Sequence, residues 1–325
     1  MDLLYMYFPV SGVKTWIVVP PLVAFVVSFF TSMGGVSGAF LLLPFQVSFL
    51  HFVTPSVSAT NFVYNIVAIP SGVYRYLREG RMAWPLTWVV IMGTLPGIFL
   101  GYYIRILYLP NPRAFKLFVG GVLLYVGVRL LYEMTGRSQR GTQQMQALEE
   151  KFNQYVNNRS ADHKARISAG LPPEAVVRTL SFSLRRVRYE FWGQEFSFSS
   201  MWMLLLAFIV GIIGGIYGIG GGAIIAPFCV TVFHLPVYTV AGAALMGTFL
   251  TSIAGVFFYS AIPIKGGLAT SPDWLLGFLF GVGGFIGIYC GARLQKFVPQ
   301  KFIKLLLSLF ILFLAGSYVQ QYFVR

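Results

Sequence analysis

Two glycine-rich segments contain the residues best suited to bind an anion. The first is Gly34-Gly35-Val36-Ser37-Gly38, and the second is Gly218-Ile219-Gly220-Gly221-Gly222. A short apolar stretch follows each segment. A helix that begins there offers free backbone N–H groups and the positive end of its dipole, which favour an anion. The candidate residues in these segments are Gly35, Ser37, Gly38, Gly220, Gly221 and Gly222.

Neutral polar side chains follow both segments at helical spacing. Asn61 and Asn65 are four residues apart, as are Thr248 and Ser252, so each pair shares one face of a helix. In a lipid environment such side chains either bond a neighbouring helix or line a path. The sequence is compatible with both roles, and all four residues are candidate substrate ligands.

The composition indicates that these segments lie within a membrane protein. Hydrophobic residues make up 57% of the 325 residues and charged residues 10%, whereas a soluble domain has about 25% charged residues. The net charge is +14, and the basic residues lie between the apolar stretches. This pattern is typical of membrane loops rather than of a nucleic-acid-binding surface. The lipid bilayer is therefore the expected environment, and nucleic acid is not expected as a partner.

Cysteine and histidine positions do not suggest a metal or a cofactor. The two cysteines, Cys229 and Cys290, are too few for a disulfide framework or a four-thiolate site. His51 and His234 are two histidines without a carboxylate or thiolate partner, which makes a poor metal site. We expect no metal and no cofactor. We also expect no cleaved signal peptide, because no basic residue precedes the first apolar run.

Apolar stretches predict an all-α polytopic membrane protein with about eight spans, since a spanning helix needs about 20 residues. The predicted spans are 14–33, 55–77, 84–106, 113–133, 201–218, 236–261, 272–293 and 299–322. The stretches 39–52 and 223–233 are too short and read as half-helices or re-entrant segments. A polar insertion divides the chain into a first membrane repeat (1–133), a soluble α+β insertion (134–199) and a second membrane repeat (200–325). Within the insertion we expect a helix behind Thr142 and a β-hairpin turning near 192–195.

The two membrane halves resemble each other. His51 lies seven residues after Pro44, and His234 lies seven residues after Pro227. Two glycine series also correspond and are expected to serve close helix packing: Gly93, Gly97 and Gly101 in the first half, and Gly283, Gly287 and Gly291 in the second. The pattern predicts a tandem repeat of a four-span unit. With an even number of spans, the copies would run parallel and both termini would lie on one side, together with the Arg75–Arg81 loop and the insertion.

A glycine-rich break, a half-helix ending in proline and a small-residue polar helix occur twice in this order. The matching stretches are 34–44 with 57–61, and 214–227 with 241–252. This pattern resembles the TauE/SafE sulfite exporter family and covers both membrane halves but not the insertion. The resemblance implies an exporter or permease, not an enzyme, for sulfite, sulfoacetate or a related small anion. It implies a cytoplasmic (inner) membrane location, and a homo-oligomer is possible.

An enzymatic alternative is an intramembrane serine protease. Gly35-Val36-Ser37-Gly38 matches the short motif of such proteases, but the chemistry requires a histidine within hydrogen-bond reach of the serine. A receptor or assembly protein built around the insertion is a third class. Separately, Arg129 lies inside a predicted span, where it either snorkels to the interface or marks a functional site.

Overall fold

The computed structural model describes residues 5–33, 37–78, 80–134, 176–262, 269–294 and 300–323. These residues are mostly helical, with two small antiparallel sheets. The helices are α1 (Val19–Met33), α2 (Ala39–Ser48), α3 (Ser56–Ala68), α4 (Pro70–Arg78), α5 (Trp84–Leu107), α6 (Pro112–Met134), α7 (Ser200–Tyr217), α8 (Gly222–Thr231), α9 (Val237–Ala261), α10 (Trp274–Leu294) and α11 (Gln300–Phe323). The strands are β1 (Tyr5–Phe8), β2 (Val13–Trp16), β3 (Arg178–Phe182), β4 (Arg186–Phe191) and β5 (Gln194–Ser199).

Four of the described helices are long and apolar enough to cross a membrane: α5, α7, α9 and α10. The predicted first span is shorter than expected, because Thr15 and Trp16 belong to the β1–β2 hairpin and α1 begins only at Val19. The predicted span 55–77 is two helices separated by Ile69. Pro70 explains this interruption, since it has no N–H for the helix ladder and constrains the residue before it.

Glycines set the closest helix contacts, and the order of these contacts gives the direction of each pair. Three glycines of α5 lie against α7 in the same order along both helices: Gly93 with Ala207, Gly97 with Gly211 and Gly101 with Gly215. Three glycines of α10 lie against α1 in the same way: Gly283 with Pro21, Gly287 with Phe25 and Gly291 with Phe29. A Cβ at any of these glycines would overlap the neighbouring helix, which confirms their predicted packing role. Both helix pairs run parallel.

The remaining contacts relate the two halves of the chain. Helices α3 and α10 run parallel, since Thr60 meets Asp273 and Val67 meets Gly281. Helices α5 and α9 are also parallel, with Val90 against Gly247 and the rings of Tyr102 and Tyr259 in contact. By contrast, α3–α4 and α9 run antiparallel, as do α6 and α11. Their contacts are Phe62 with Gly255, Tyr76 with Gly242, Gly120 with Tyr318 and Gly127 with Leu312.

Four helices of the first half therefore run opposite to the helices that correspond to them in the second half. This holds for α1 and α7, α3 and α9, α5 and α10, and α6 and α11. The expectation that the two halves run parallel is wrong. It counted α1 as a complete span and α2 as a half-helix that does not cross, although α2 leads the chain back toward the end of α11, where the Tyr318 hydroxyl donates to the carbonyl of Pro44 at 3.0 Å.

The described residues nearest the two termini lie at the opposite end of the bundle from the described part of the insertion. The Val177 amide donates to the Gly80 carbonyl at 3.0 Å, so the insertion meets the α4–α5 connection as predicted. We call this end the insertion side. At the other end, the terminal side, Ser11 bonds Asp273 at the start of α10 and Lys116 bonds Gln321 near the end of α11. The prediction that the termini share the side of the insertion is wrong.

The described part of the insertion is a three-stranded sheet that packs onto the helices. Strands β4 and β5 form the expected hairpin, whose turn places Trp192 and Gly193 at φ 54° and 71°. Strand β3 adds a third strand, and the helix expected behind Thr142 lies outside the described residues. Tyr189 bonds Thr239 of α9 at 3.0 Å between their hydroxyl oxygens. Burial raises the pKa of the Tyr189 phenol, so this hydroxyl stays protonated.

Candidate functional site

The first turns of the short helices α2 and α8 lie at mid-depth of the bundle. Gly38 precedes α2 and lies against the Tyr64 hydroxyl, and the Tyr64 ring contacts Gly284 in the middle of α10. Gly221 precedes α8 and lies against Thr94 in the middle of α5. A glycine cap has no side chain to accept from first-turn amides. Two positive helix ends thus approach the centre from opposite sides of the bundle.

Asn65 connects the two glycine-rich segments. Its Oδ1 accepts a hydrogen bond from the Ser37 hydroxyl at 2.8 Å, and its Nδ2 donates to the carbonyl of Ile219 at 3.1 Å. Asn65 is completely buried and Ser37 nearly so. The Ser37 hydroxyl also accepts from the Ala39 amide at 3.3 Å. Ser37 and the segment around Ile219, far apart in the sequence, are therefore neighbours in space.

Asn61 faces the first turn of α2, one helical turn from Asn65. Its Nδ2 donates to the Ala39 carbonyl at 3.0 Å, and its Oδ1 accepts from Gln46 Nε2 at 3.3 Å. Gln46 is completely buried, and its Oε1 has no partner among the described residues. The sequence analysis did not select Gln46. The repeat gives one sequence signal for Gln46. It lies two residues after Pro44, as Cys229 lies two residues after Pro227.

The polar residues of α9 face the second glycine-rich segment. Thr248 donates to the Ala244 carbonyl of its own helix at 2.8 Å, and the hydroxyl of Ser252 is buried without a partner among the described residues. The Gly221 amide donates to Thr251 Oγ1 at 3.1 Å. Thr251 is a second residue that the sequence analysis missed, although it lies three residues after Thr248 and so near the same face.

Close backbone approach explains two of the glycines in this segment. Gly220 has φ 79°, a left-handed conformation that favours glycine. A Cβ on Gly220 would lie against Thr248, and one on Gly222 would overlap the Ala244 carbonyl. Packing alone accounts for both glycines, and the same contact brings the segment's backbone next to Thr248 and Ser252. Of the predicted site residues, Gly35 lies outside the described residues.

No contact in the described residues supports the serine protease alternative. The Ser37 hydroxyl donates to Asn65, not to a histidine. His51 and His234 are exposed residues just after α2 and α8, with left-handed φ values of 52° and 54°. Their matching conformation terminates both short helices: the next amide, of Phe52 or Leu235, bonds back to the carbonyl of Gln46 or Cys229 at 3.0 Å.

Charged groups of the spans lie away from the two helix starts. Arg129 Nη1 donates to the Tyr125 hydroxyl at 2.8 Å, and its guanidinium lies 4.3 Å from the centre of the Phe228 ring. This contact holds α6 against α8. Within the described residues, no group of three His, Cys, Asp or Glu side chains is placed to hold a metal ion. Backbone amides, hydroxyls and carboxamides thus make up the polar centre.

Apolar helices long enough to span a bilayer and a buried polar centre define a polytopic membrane protein. The chain belongs to the TauE/SafE sulfite exporter family, whose profile matches residues 21–318. The resemblance found in the glycine-rich segments is therefore confirmed.

The similar proteins are named as membrane transporters. The chain is 32% identical to the probable membrane transporter protein YdhB of Bacillus subtilis over 33% of this chain and 40% of that protein. It is 20% identical to the probable membrane transporter protein YunE of the same organism over 89% of this chain and 92% of that protein. A probable membrane transporter protein of Methanocaldococcus jannaschii is 28% identical over 34% and 41% of the two chains. No solved structure is significantly similar to this chain.

Proposed function

We propose that this protein is a permease that moves a small oxyanion, sulfite or an organosulfonate such as sulfoacetate, across the cytoplasmic membrane. The anion binds between the first turns of α2 and α8. The observation that carries this proposal is the bridge that Asn65 forms between Ser37 and Ile219 at mid-depth. Family membership supplies the class of transporter, and its description supplies sulfite as the first substrate to test.

The architecture behind this site is an inverted repeat. In each half, one short helix and four longer helical segments, counting α3 with α4 as one, form the repeated unit, and the second unit is turned over in the membrane. The opposite direction of the four corresponding helix pairs supports this arrangement, as do the matching left-handed residues His51 and His234. In transporters of this kind, half-helices enter from opposite faces and their starts meet near the bilayer midplane.

Neutral donors suit an anion that must also leave the site. Backbone amides at the starts of α2 and α8 and the Ser252 hydroxyl, which is unpaired among the described residues, would bind oxygen atoms without a full positive charge, while Ser37, bonded to Asn65, holds the start of α2 in place. In a low-dielectric centre such dipoles attract an anion strongly. A lysine or arginine there would hold a dianion more tightly and slow its release. Asn61 and Thr248 position the two backbones, and Gly38 and Gly220 allow their close approach.

We propose that the insertion side faces the cytoplasm. The α4–α5 connection has Arg75, Arg78 and Arg81 near it, and the direction of α10 adds Arg293 and Lys301 to the same side. The positive-inside rule assigns a side enriched in short basic loops to the cytoplasm. Because the second half is turned over, Arg293 and Lys301 add to the positive charge of the insertion side. In a parallel second half, these two residues would lie on the opposite side.

A binding screen tests the substrate class. Purified protein is heated with sulfite, sulfoacetate, thiosulfate, sulfate or a simple carboxylate, and the unfolding temperature is recorded. A ligand of the native state stabilises it in proportion to the logarithm of its concentration over Kd. We expect sulfite or sulfoacetate to raise the unfolding temperature in a saturable way. Equal or absent shifts for all five anions, with no uptake of radiolabelled sulfite by proteoliposomes, would contradict the proposal.

A further inference from the structure

A fully buried arginine lies near the terminal-side end of α5, away from the proposed central site. Arg105 is 0% exposed. Its Nη1 donates to the carbonyl of Leu109, and its guanidinium lies 3.7 Å from the centre of the Phe115 ring at the start of α6. Neither contact carries a full negative charge. A buried cation without an anion is costly, and such residues within spans commonly have a function.

The free atoms of Arg105 form one edge of its guanidinium. Nε and Nη2 have no partner among the described residues, and they are the two nitrogens whose N–H groups point side by side. That fork matches two oxygen atoms of a carboxylate, phosphate or sulfonate. The contact with Leu109 uses the remaining nitrogen and orients the fork. The side chain is therefore held in place with its oxyanion-binding edge unused.

A chain of contacts leads from Arg105 to the second glycine-rich segment. Tyr102 lies three residues before Arg105 on the same helix, and its ring packs against that of Tyr259 with 4.9 Å between ring centres. The Tyr259 hydroxyl donates to the Gly215 carbonyl at 3.0 Å, near the end of α7. Ser58 donates to the next carbonyl, of Ile216, at 3.0 Å. Polar groups thus connect the region of Arg105 to the segment that Asn65 bridges.

We propose that Arg105 forms a second oxyanion site on the terminal side, where a sulfite or sulfonate group binds to Nε and Nη2 on its way to or from the centre. This inference rests on the proposed transport function. A full cation between the terminal side and the centre attracts the anion and offsets the loss of its hydration, and the neutral centre then receives it. The site is specific to one side of the protein, so its loss affects entry from that side.

Sided transport measurements test this role. Uptake of radiolabelled sulfite is measured in right-side-out and inside-out vesicles with wild type, Arg105→Lys and Arg105→Gln. Arg105→Lys keeps the charge but removes the fork. We expect its KM to rise about tenfold for sulfite presented to the terminal side, and to change less than about twofold from the insertion side. Arg105→Gln should give the same sided pattern with a larger shift.

Two controls separate anion binding from packing. Phe115→Leu removes the ring under the guanidinium but leaves the fork, so KM on both sides should stay near the wild-type value. Arg113→Gln removes an exposed charge on the same side and should also leave KM unchanged. Equal KM changes on both sides, or the same sided change in Phe115→Leu, would overturn the Arg105 site while the proposed transport stands. A wild type that transports none of the tested anions would overturn both.

Discussion

Asn65 donates a hydrogen bond to the Ile219 carbonyl at 3.1 Å, although 154 positions separate the two residues in the chain. The bond joins the first half of the protein to the segment between α7 and α8. The same side chain accepts a bond from Ser37 beside the start of α2. One carboxamide thus holds together the two segments that the proposed anion would bridge.

Replacing Asn65 tests this connection. Asn65→Ala leaves the Ile219 carbonyl and the Ser37 hydroxyl buried without their partner, which should cost about 1–3 kcal/mol of unfolding free energy. Sulfite affinity should fall about tenfold or more, equivalent to about 1.4 kcal/mol. Thermal unfolding and titration calorimetry measure the two effects. Ser71→Ala is the matched control, because that hydroxyl donates to the nearby Ala68 carbonyl of the same segment. Unchanged sulfite affinity in a folded Asn65→Ala protein would refute the central site.

Ser252→Ala separates binding from stability. The Ser252 hydroxyl is buried without a partner among the described residues, so its removal should leave the unfolding temperature unchanged or slightly raised. Anion affinity should nevertheless fall several-fold if the hydroxyl donates to the substrate. Ser308→Ala removes another buried serine hydroxyl, one bonded within α11, and should leave affinity intact. Equal affinities for wild type and Ser252→Ala would remove Ser252 from the site.

The glycine contacts predict that alanine prevents folding at Gly222 and is accepted at Gly121. A Cβ at Gly222 would overlap the Ala244 carbonyl, and backbone cannot move aside as a side chain can. Gly222→Ala should therefore lose most of its folded protein, as measured by size-exclusion chromatography after detergent extraction. Gly121 has no atom near its added Cβ, and Gly121→Ala should be neutral or stabilising, since alanine favours helices. Normal yield of Gly222→Ala would show that α8 does not pack on α9 this closely.

Asp273 is predicted to serve structure rather than proton coupling. It is buried, with 3% of its surface exposed. Its Oδ1 accepts from the Leu276 amide at the start of α10, and its Oδ2 accepts from the Ser11 hydroxyl at 2.8 Å. Asp273→Ala should cost about 1–2 kcal/mol through the lost helix cap, and Asp273→Ser should recover part of it. Transport per folded molecule should keep its pH dependence in both variants, and its loss in Asp273→Ser would indicate a coupling role.

The termini and the insertion should be labelled from opposite sides of the membrane. We expect a C-terminal alkaline phosphatase fusion to be active, because the terminal side faces away from the cytoplasm in the proposed orientation. A cysteine placed at exposed Arg185 should react with an impermeant maleimide only in inside-out vesicles. Asn111, which is exposed on the terminal side, serves as the matched position. Labelling of both positions from one side would contradict the bundle described here.

Much of the molecule follows from short-range sequence patterns. Composition alone indicates a bilayer, because about a tenth of the residues are charged. The four-residue spacing of the glycines around Gly97 and around Gly287 predicts close helix contacts. In the structure, Gly97 packs against α7 and Gly287 against α1. Trp192 and Gly193 mark the hairpin turn. Each of these features depends on residues near one another in the chain, so local chemistry suffices to predict them.

The direction of the two halves depended on the tertiary structure. An apolar stretch has the same hydropathy whichever side it enters from, so counting stretches cannot give the direction in which a short helix such as α2 leads the chain. The places of Gln46 and Thr251 in the polar centre follow only from the packing of α2 against α3 and of α8 against α9. The sequence by itself determined that the protein lies in a lipid bilayer. It also identified the two glycine-rich segments and the candidate polar residues. Long-range packing alone decided that the second half is inverted and that Asn65 reaches Ile219, because such contacts form between residues whose separation no local pattern encodes.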